Sequence, residues 1–290
     1  MQIIIPMAGT GERFKKAGYK EPKPLIEVDG KPMIEHVVNL FPGESNFLFI
    51  CNRAHIEATD LGAVLERTAP EGVVCAVDPA KKGPAYAIIK AEHYIRDDEP
   101  VIVSYCDFSL VWDYRDFLAT IKKKDPDSAA VCYTGFHPHL MGESLYAGVR
   151  ADKDLNALEV REKHSFHLDK KQTWHQAGLF YFKTGALLKK YAAHVVDNGI
   201  VCNGEHYISL LFNPMIADSL SSIVYGAEHF CQWGTPEDLR DYNMWMTIID
   251  HCGGKIPAEA KVSADARKIF EYWKEYRMRS NASKNLNPKP

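Results

Sequence analysis

The sequence predicts an α/β protein: a mostly parallel, doubly wound sheet, then a mixed-sheet section, then helices at the C-terminal end. Three observations carry this. Through residues 2–134, short Val- and Ile-rich runs alternate with segments of helical spacing. Those runs are apolar throughout, the pattern of strands buried on both faces of a parallel sheet. Beyond residue 145 the alternation gives way to closely spaced strands, as in an antiparallel section.

The elements follow in order. Residues 2–6 are the first strand. Residues 32–40 have helical spacing, with Met33, Val37 and Leu40 on one face. A strand is expected at 47–51, a helix at 55–67 and a strand at 72–77. A helix at 84–95 opens on Pro84, where the missing N–H costs least. The strand at 100–105 ends at Cys106-Asp107. A helix at 114–124 and a strand at 128–134 complete the alternation. Further strands are expected at 145–150, 158–161, 178–182 and 222–225. Helices are expected at 185–194, after Gly204, and at 236–249 and 264–278. The organisation is then a main domain over residues 1–250, a helical extension over 251–279 and a polar, disordered tail over 280–290.

Composition narrows the function classes. The chain of 290 residues is 46% hydrophobic and 25% charged, ordinary for a water-soluble fold. A net charge of -3 argues against bulk nucleic-acid binding. No apolar run approaches the roughly 18 residues that span a bilayer, so no membrane partner is expected. Met1 and Gln2 lead straight into a strand, without a signal peptide. The seven cysteines are odd in number, scattered and free of any C-x-x-C pair. They read as free thiols of a cytoplasmic protein rather than a zinc site or disulfide framework.

The stretch PMAGTGERFKKAGYKEPKPL (6–25) places glycines and cations directly after the first strand. Gly9 and Gly11 let backbone amides approach an anion. Arg13 offers a planar fork for phosphate oxygens. Lys23 lies between Pro22 and Pro24, which restrict where its ammonium points. A solvated basic loop is the plainer reading of G-x-G alone; the whole spacing is far more specific.

With Ala8-Gly9-Thr10-Gly11-Glu12-Arg13, Pro22-Lys23-Pro24-Leu25 and VDGKPMIEHVV (28–38) in place, the chain resembles the nucleotidyltransferases that make activated sugars and related compounds. The resemblance implies a GT-A-like nucleotide-binding sheet. It implies an NTP joined to a phosphorylated small-molecule acceptor with release of pyrophosphate. Arg13 and Lys23 would then grip the triphosphate, and Ala8, Gly9, Thr10 and Gly11 would line its cradle. Gly83 and Pro84, in KKGPAYAI, match a segment opening a helix beside the nucleobase. Asp107, in VSYCDFSLVWD, matches the family's Mg²⁺ ligand. A carboxylate supplemented by substrate phosphates is an ordinary Mg²⁺ site. Asp113 is the weaker acid there and reads as a helix cap.

The resemblance continues through YAGVR, VREKH and HQAGLFYF. It implies an acceptor region with Gly148, Glu162, Lys163, His175 and Gly178. The residue after Lys163 is His164, where the family commonly has Pro. The closing FCQWGTPEDLRDY departs too: Gln232 stands where sugar-phosphate members carry an Asp as second metal ligand. Glu205, in NGEHYIS, is the substitute, as in a surface-polysaccharide branch of the family. A cytidylyltransferase using CTP and a non-hexose acceptor for capsule polysaccharide is the favoured expectation, with a homo-oligomer open. The alternatives are a uridylyl-, guanylyl- or thymidylyltransferase on a sugar 1-phosphate, a glycosyltransferase using a nucleotide-sugar, and a non-catalytic nucleotide sensor. The remaining motifs have plain readings. Thr235, Pro236, Glu237 and Asp238 suit a helix start. His137, His139, His164, His167 and His175 are mostly surface or hydrogen-bonded histidines. The basic C-terminal stretch is a solvated helix and tail.

Overall fold

The structure, a computed structural model, describes residues 1–143, 146–257 and 260–286, with side chains through residue 280. In chain order the strands are β1 (Gln2–Met7), β2 (Glu27–Val28), β3 (Lys31–Pro32), β4 (Phe47–Asn52), β5 (Val73–Val77), β6 (Val101–Ser104), β7 (Phe108–Val111), β8 (Ser128–Tyr133), β9 (Gly148–Ala151), β10 (Ala157–Arg161), β11 (Trp174–Phe182), β12 (Ser222–Gly226) and β13 (His229–Gln232). The α-helices are α1 (Glu12–Lys16), α2 (Met33–Val38), α3 (Arg53–Ala58), α4 (Leu61–Thr68), α5 (Pro84–Lys90), α6 (Tyr114–Lys124), α7 (Gly185–Asp197), α8 (Phe212–Ala217), α9 (Pro236–His251) and α10 (Ala264–Leu286).

The apolar first strand lands at the centre of the main sheet. β1 pairs in parallel with β4 on one side and β6 on the other, and β5 extends the sheet beyond β4. The chain therefore runs outward through β4 and β5, then returns across β1 to β6. This reversal opens a crevice at the carboxyl ends of β1 and β6, the usual ligand position in such sheets. Beyond β6 the sheet turns mixed. β11 runs antiparallel to β6, β8 and β9, and β12 joins β8 in parallel.

Side chains alternate across β1. Ile3, Ile5 and Met7 enter one core with α2, α4 and α6, while Ile4 enters a second with α5, α7 and α8. A third core packs α9 and α10 onto β7, β13 and the β2–β3 turn. Phe270, Tyr272, Trp273 and Tyr276 of α10 are all buried. Tyr272 Oη donates to the Phe230 carbonyl at 2.8 Å, and Arg277 bridges Asp29 and Asp250. The basic C-terminal stretch is thus no freely solvated helix: one of its faces is a wall of the protein.

Other departures have local causes. The expected helix at 55–67 breaks at Thr59, whose Oγ1 donates to the His55 carbonyl and accepts from the Leu61 amide. β11 begins at Trp174 rather than at Gly178, because Gly178 sits inside it at a register shift with φ of 85°. The strand expected over 145–150 begins at Gly148; its first residue, Leu145, lies outside the described residues. The small β7–β13 sheet joins segments far apart in sequence, which local pattern does not reveal. The final helix runs on to Leu286, through much of the stretch expected as a tail; residues 287–290 lie outside the described residues. Asp113 and Thr235 cap α6 and α9 as expected, Thr235 as half of a capping box with Asp238.

His137, His139 and His175, read as surface or hydrogen-bonded, are all hydrogen-bonded, and with His229 they form a largely buried nest. His137, His139, His175 and His229 surround Tyr133 and Tyr272. His137 Nε2 accepts the Phe230 amide, and Tyr133 Oη bonds His139 Nε2 at 2.8 Å. Burial lowers the affinity of all four for protons, taking His137 down to about 3. His164 and His167 lie outside this nest, His164 partly exposed and His167 on the surface. Below pH 6.5 the unfolded chain takes up protons that the folded chain refuses, so stability falls with pH. His137 alone contributes a slope of about 1.4 kcal/mol per pH unit between its unfolded and folded values. The melting temperature should therefore drop steadily from pH 7 to pH 5, and less steeply in His137→Gln. A flat profile over that range would contradict the nest.

Candidate active site

A cleft with a cavity volume of about 260 Å³ opens at the carboxyl ends of β1 and β6. Ala8, Gly9, Thr10, Gly11, Lys23, Gly83, Pro84, Asp107 and Glu205 all line it. One wall is the loop after β1. A Cβ on Gly9 would meet nothing within 4 Å, so that backbone faces open space. Gly11 takes φ of 66° as it turns the chain into α1. Arg13 stands exposed on α1, outside the lining residues, and its guanidinium makes no ion pair among the described residues.

The opposite wall is built by a backbone clasp. Gly83 has φ of 87°, and a Cβ there would fall 2.6 Å from the His206 amide nitrogen and 2.7 Å from its carbonyl oxygen. The two segments exchange hydrogen bonds: the His206 amide donates to the Lys82 carbonyl, and the Ala85 amide to the His206 carbonyl. Gly83 lines the cleft, and its missing side chain also admits another stretch of this chain, which fixes Glu205 and Tyr207 in the cleft wall.

At the floor, Lys23 Nζ lies 2.5 Å from Asp107 Oδ2 and donates to the Gly234 carbonyl at 2.9 Å. The expected phosphate cation and the expected metal ligand are thus paired with each other, both about three-quarters buried. Gly234 adds a third group. A Cβ on it would stand 3.6 Å from Asp107 Oδ2 and 3.6 Å from Asp238 Oδ2. Asp238 was read only as a helix-start acid. It does close the capping box, accepting from the Thr235 amide at 2.8 Å, yet it also faces Asp107. Burial and the nearby Asp107 raise its pKa, against hydrogen bonds from Thr235 and the charge of Lys23 that lower it. Gln232 Nε2 donates to Asp238 Oδ1, leaving Gln232 Oε1 buried without a partner.

The donor set fits a hard cation. Asp107 and Glu205 bring two carboxylates to one cleft, and phosphate oxygens would supply further ligands. Among the described residues no group of three acidic, His or Cys side chains gathers as a ready cage. Gln232 is committed to Asp238 rather than to this cleft.

The expected acceptor residues divide. Glu162 is half-buried, accepts from Ser209 Oγ, and is held above the usual carboxylate range by its partial removal from water. Its charge is felt by Tyr105 and Tyr207, both lining the cleft. Lys163 follows with φ of 51°, a left-handed backbone uncommon for a residue with a side chain. His175, by contrast, is fully buried, stacks on Tyr133 and bonds the Lys170 carbonyl, away from the lining residues. Gly148 and Gly178 serve close packing: a Cβ would fall 2.4 Å from the His164 carbonyl and 2.8 Å from the Tyr105 ring, respectively. Lys81 and Lys90, which the sequence reading passed over, add cations to the cleft.

Comparison with known proteins agrees with this geometry. A family model described as "MobA-like NTP transferase domain" matches residues 3–171. The bifunctional protein GlmU of Alkaliphilus metalliredigens is 26% identical over 233 residues, covering 79% of this chain and 48% of that protein. The chain spans about half the length of that relative and 59% of its Staphylococcus epidermidis counterpart. Among solved structures, a nucleoside-diphosphate-sugar pyrophosphorylase from Vibrio cholerae superposes with a TM-score of 0.65 at 19% identity, covering 83% of this chain and 98% of that one. The inositol-1-phosphate CTP transferase from T. maritima superposes with a TM-score of 0.62 at 14% identity, covering 94% and 96%. These likenesses establish the shared fold.

The clasp makes a sharp test. Gly83→Ala strains a left-handed residue and drives its methyl into the His206 backbone, at a cost of about 1–3 kcal/mol. Differential scanning calorimetry should show that loss, and hydrogen exchange should rise across residues 203–208. Unchanged exchange there would mean that the wall does not depend on Gly83.

Proposed function

The chain belongs to the MobA-like NTP transferase domain family, and from that premise we propose that it joins an NTP to a phosphorylated small acceptor and releases pyrophosphate. The observation that carries this is the convergence of the β1 loop, Lys23 and Asp107 at one crevice. Phosphoryl transfer asks for positioning and charge stabilisation above all, and this crevice supplies both.

In this reading an acceptor phosphate oxygen attacks the α-phosphorus in line. The new P–O bond forms as the bond between the α-phosphorus and its bridging oxygen breaks. Pyrophosphate leaves with that electron pair. The acceptor oxygen is already ionised near neutral pH, so no general base is required. The amides of residues 8–11 cradle the phosphates, Lys23 leaves Asp107 to meet the α-phosphate, and the exposed arm of Arg13 reaches the departing pyrophosphate. Asp107 and Glu205 are the residues that would hold Mg²⁺, which when bound supplies positive charge to the phosphate oxygens. Glu162 and Lys163 face the acceptor across Tyr105 and Tyr207.

CTP is the favoured nucleotide, a choice consistent with the fold shared with the T. maritima CTP transferase. A capsule or surface-polysaccharide precursor is the favoured product, and the cytoplasm, with its NTP pool, the favoured compartment. No helix among the described residues is long and apolar enough to cross a membrane.

The test is thermal stabilisation by ATP, CTP, GTP, UTP and dTTP, each with and without Mg²⁺. One NTP should raise the melting temperature clearly, and Lys23→Ala should abolish that shift. The same substitution should lower pyrophosphate release at least about 100-fold and also lower the ligand-free melting temperature by several degrees, because Asp107 and the Gly234 carbonyl lose their shared, largely buried donor. A shift with a nucleotide-sugar and none with any NTP would instead select the glycosyltransferase.

A further inference from the structure

The segment that carries Lys23 has little of its own to hold it in place. From Lys23 the chain runs through Ile26 into the β2–β3 hairpin, which has two residues in each strand and pairs with no other strand among the described residues. A hairpin of that size is not stable alone in water. Its tip, Asp29-Gly30, takes φ of 48° and 73°, both left-handed, as a tight two-residue turn requires. The anchor must come from elsewhere in the chain.

It comes from α9 and α10. Asp29 Oδ2 accepts from Tyr242 Oη and from Arg277 Nη1, each at 2.8 Å. The same guanidinium grips Asp250, with Nε at 3.2 Å and Nη2 at 2.6 Å. Asp250 lies in the last turn of α9, where the helix's own partial negative charge disfavours a carboxylate. One planar fork thus joins the hairpin tip, the end of α9 and α10, which a point-charge lysine could not do. The Arg277 and Asp29 side chains are only 21% and 19% exposed, so solvent ions screen their pairing little.

The other end of α9 opens at the floor of the crevice. Thr235 caps it, and the preceding Gly234 carbonyl accepts from Lys23 Nζ. The Lys23–Asp29 segment is therefore tied to α9 twice: by Lys23 at the start of the helix, and by Tyr242 and Arg277 further along it. Between these ties, His36 Nε2 donates to the Val28 carbonyl at 2.7 Å and packs edge-on against Trp233, the residue before Gly234. Ile26, Val28, Trp233, Tyr242 and Tyr276 share one core beneath them.

We propose that Arg277 is a positioning residue for the transferase: by clamping Asp29 to α9, it sets where Lys23 stands between Asp107 and the Gly234 carbonyl. Arg277 lies outside the crevice lining and acts through the hairpin. The kinetic consequence rests on the transferase reading; the clamp itself does not.

The test compares three variants at a temperature where each is fully folded. Arg277→Met removes the fork and keeps much of its apolar length. Asp29→Asn removes the charge at the tip with a residue that also accepts left-handed backbone. Glu228→Ala is the control: it loosens α10 from the β12–β13 turn, through Arg279, without touching the hairpin. With the NTP chosen by thermal shift and an acceptor that supports turnover, Arg277→Met and Asp29→Asn should each lower kcat about tenfold and change the KM for NTP by less than about threefold. The double variant should be no slower than the worse single one, because the two residues act as a unit. Glu228→Ala should keep its kcat even as its melting temperature falls. Hydrogen exchange on the ligand-free protein reads the clamp without any substrate. In Arg277→Met the Leu25, Ile26 and Met33 amides, hydrogen-bonded within this segment, should exchange at least about tenfold faster. That result supports the clamp even if no pyrophosphate is ever released, and unchanged exchange overturns it. Faster exchange with an unchanged kcat overturns the positioning role. So does an equal loss of kcat in Glu228→Ala, which would mean that any loosening of α10 suffices. If Arg277→Met does not fold, Asp29→Asn decides by the same readings.

Discussion

One ammonium group holds three distant parts of the chain in register. Lys23 comes from the loop after the first strand, its carboxylate partner Asp107 lies 84 residues on, and its carbonyl partner Gly234 lies 211 residues on. The crevice, the metal-ligand candidate and the entry to α9 all meet at this point. The two flanking prolines matter for that reason. They narrow the backbone of a residue that must reach two fixed acceptors at once. The parallel sheet places the strand ends side by side, and Lys23 sets the spacing of the groups they carry.

Much of this could be read in the sequence, and the boundary is physical. The first strands were legible because a strand buried on both faces must be apolar throughout. The opening loop and Asp107 were legible because their spacing is local and each follows a strand. The caps of α6 and α9 were legible for the same reason. What escaped depends on contacts between remote segments. Nothing near Gly83 says that its partner is the backbone of His206. Nothing in the closing segment says that Asp238, a good helix-start acid, also faces Asp107. The histidines looked like loop residues because their aromatic neighbours come from β8, β13 and α10. The aromatic face of α10 was hidden by charges on its other side.

The glycines divide along the same line. In the opening loop Gly9 faces open space, while a Cβ on Gly11 would stand 4.0 Å from the Lys23 amide nitrogen. Gly83, Gly148 and Gly178 are filled by the protein itself, against His206, His164 and Tyr105. A glycine quoted in a motif thus says only that something comes close. Whether that something is a ligand or the chain's own backbone is decided by folding. Here the self-contacts shape the walls, and the open space beside Gly9 leaves room for an anion.

The pairing of Lys23 with Asp107 has a thermodynamic consequence. The resting site is already charge-balanced, so in the proposed reaction an arriving polyanion would displace a carboxylate rather than loosely held solvent ions. The carboxylate so released needs a cation of its own. Uptake of anion and uptake of cation are therefore linked functions, each raising the affinity for the other by the same factor. In the proposed reaction the crevice would work as an ion exchanger, taking up a salt more readily than either ion alone.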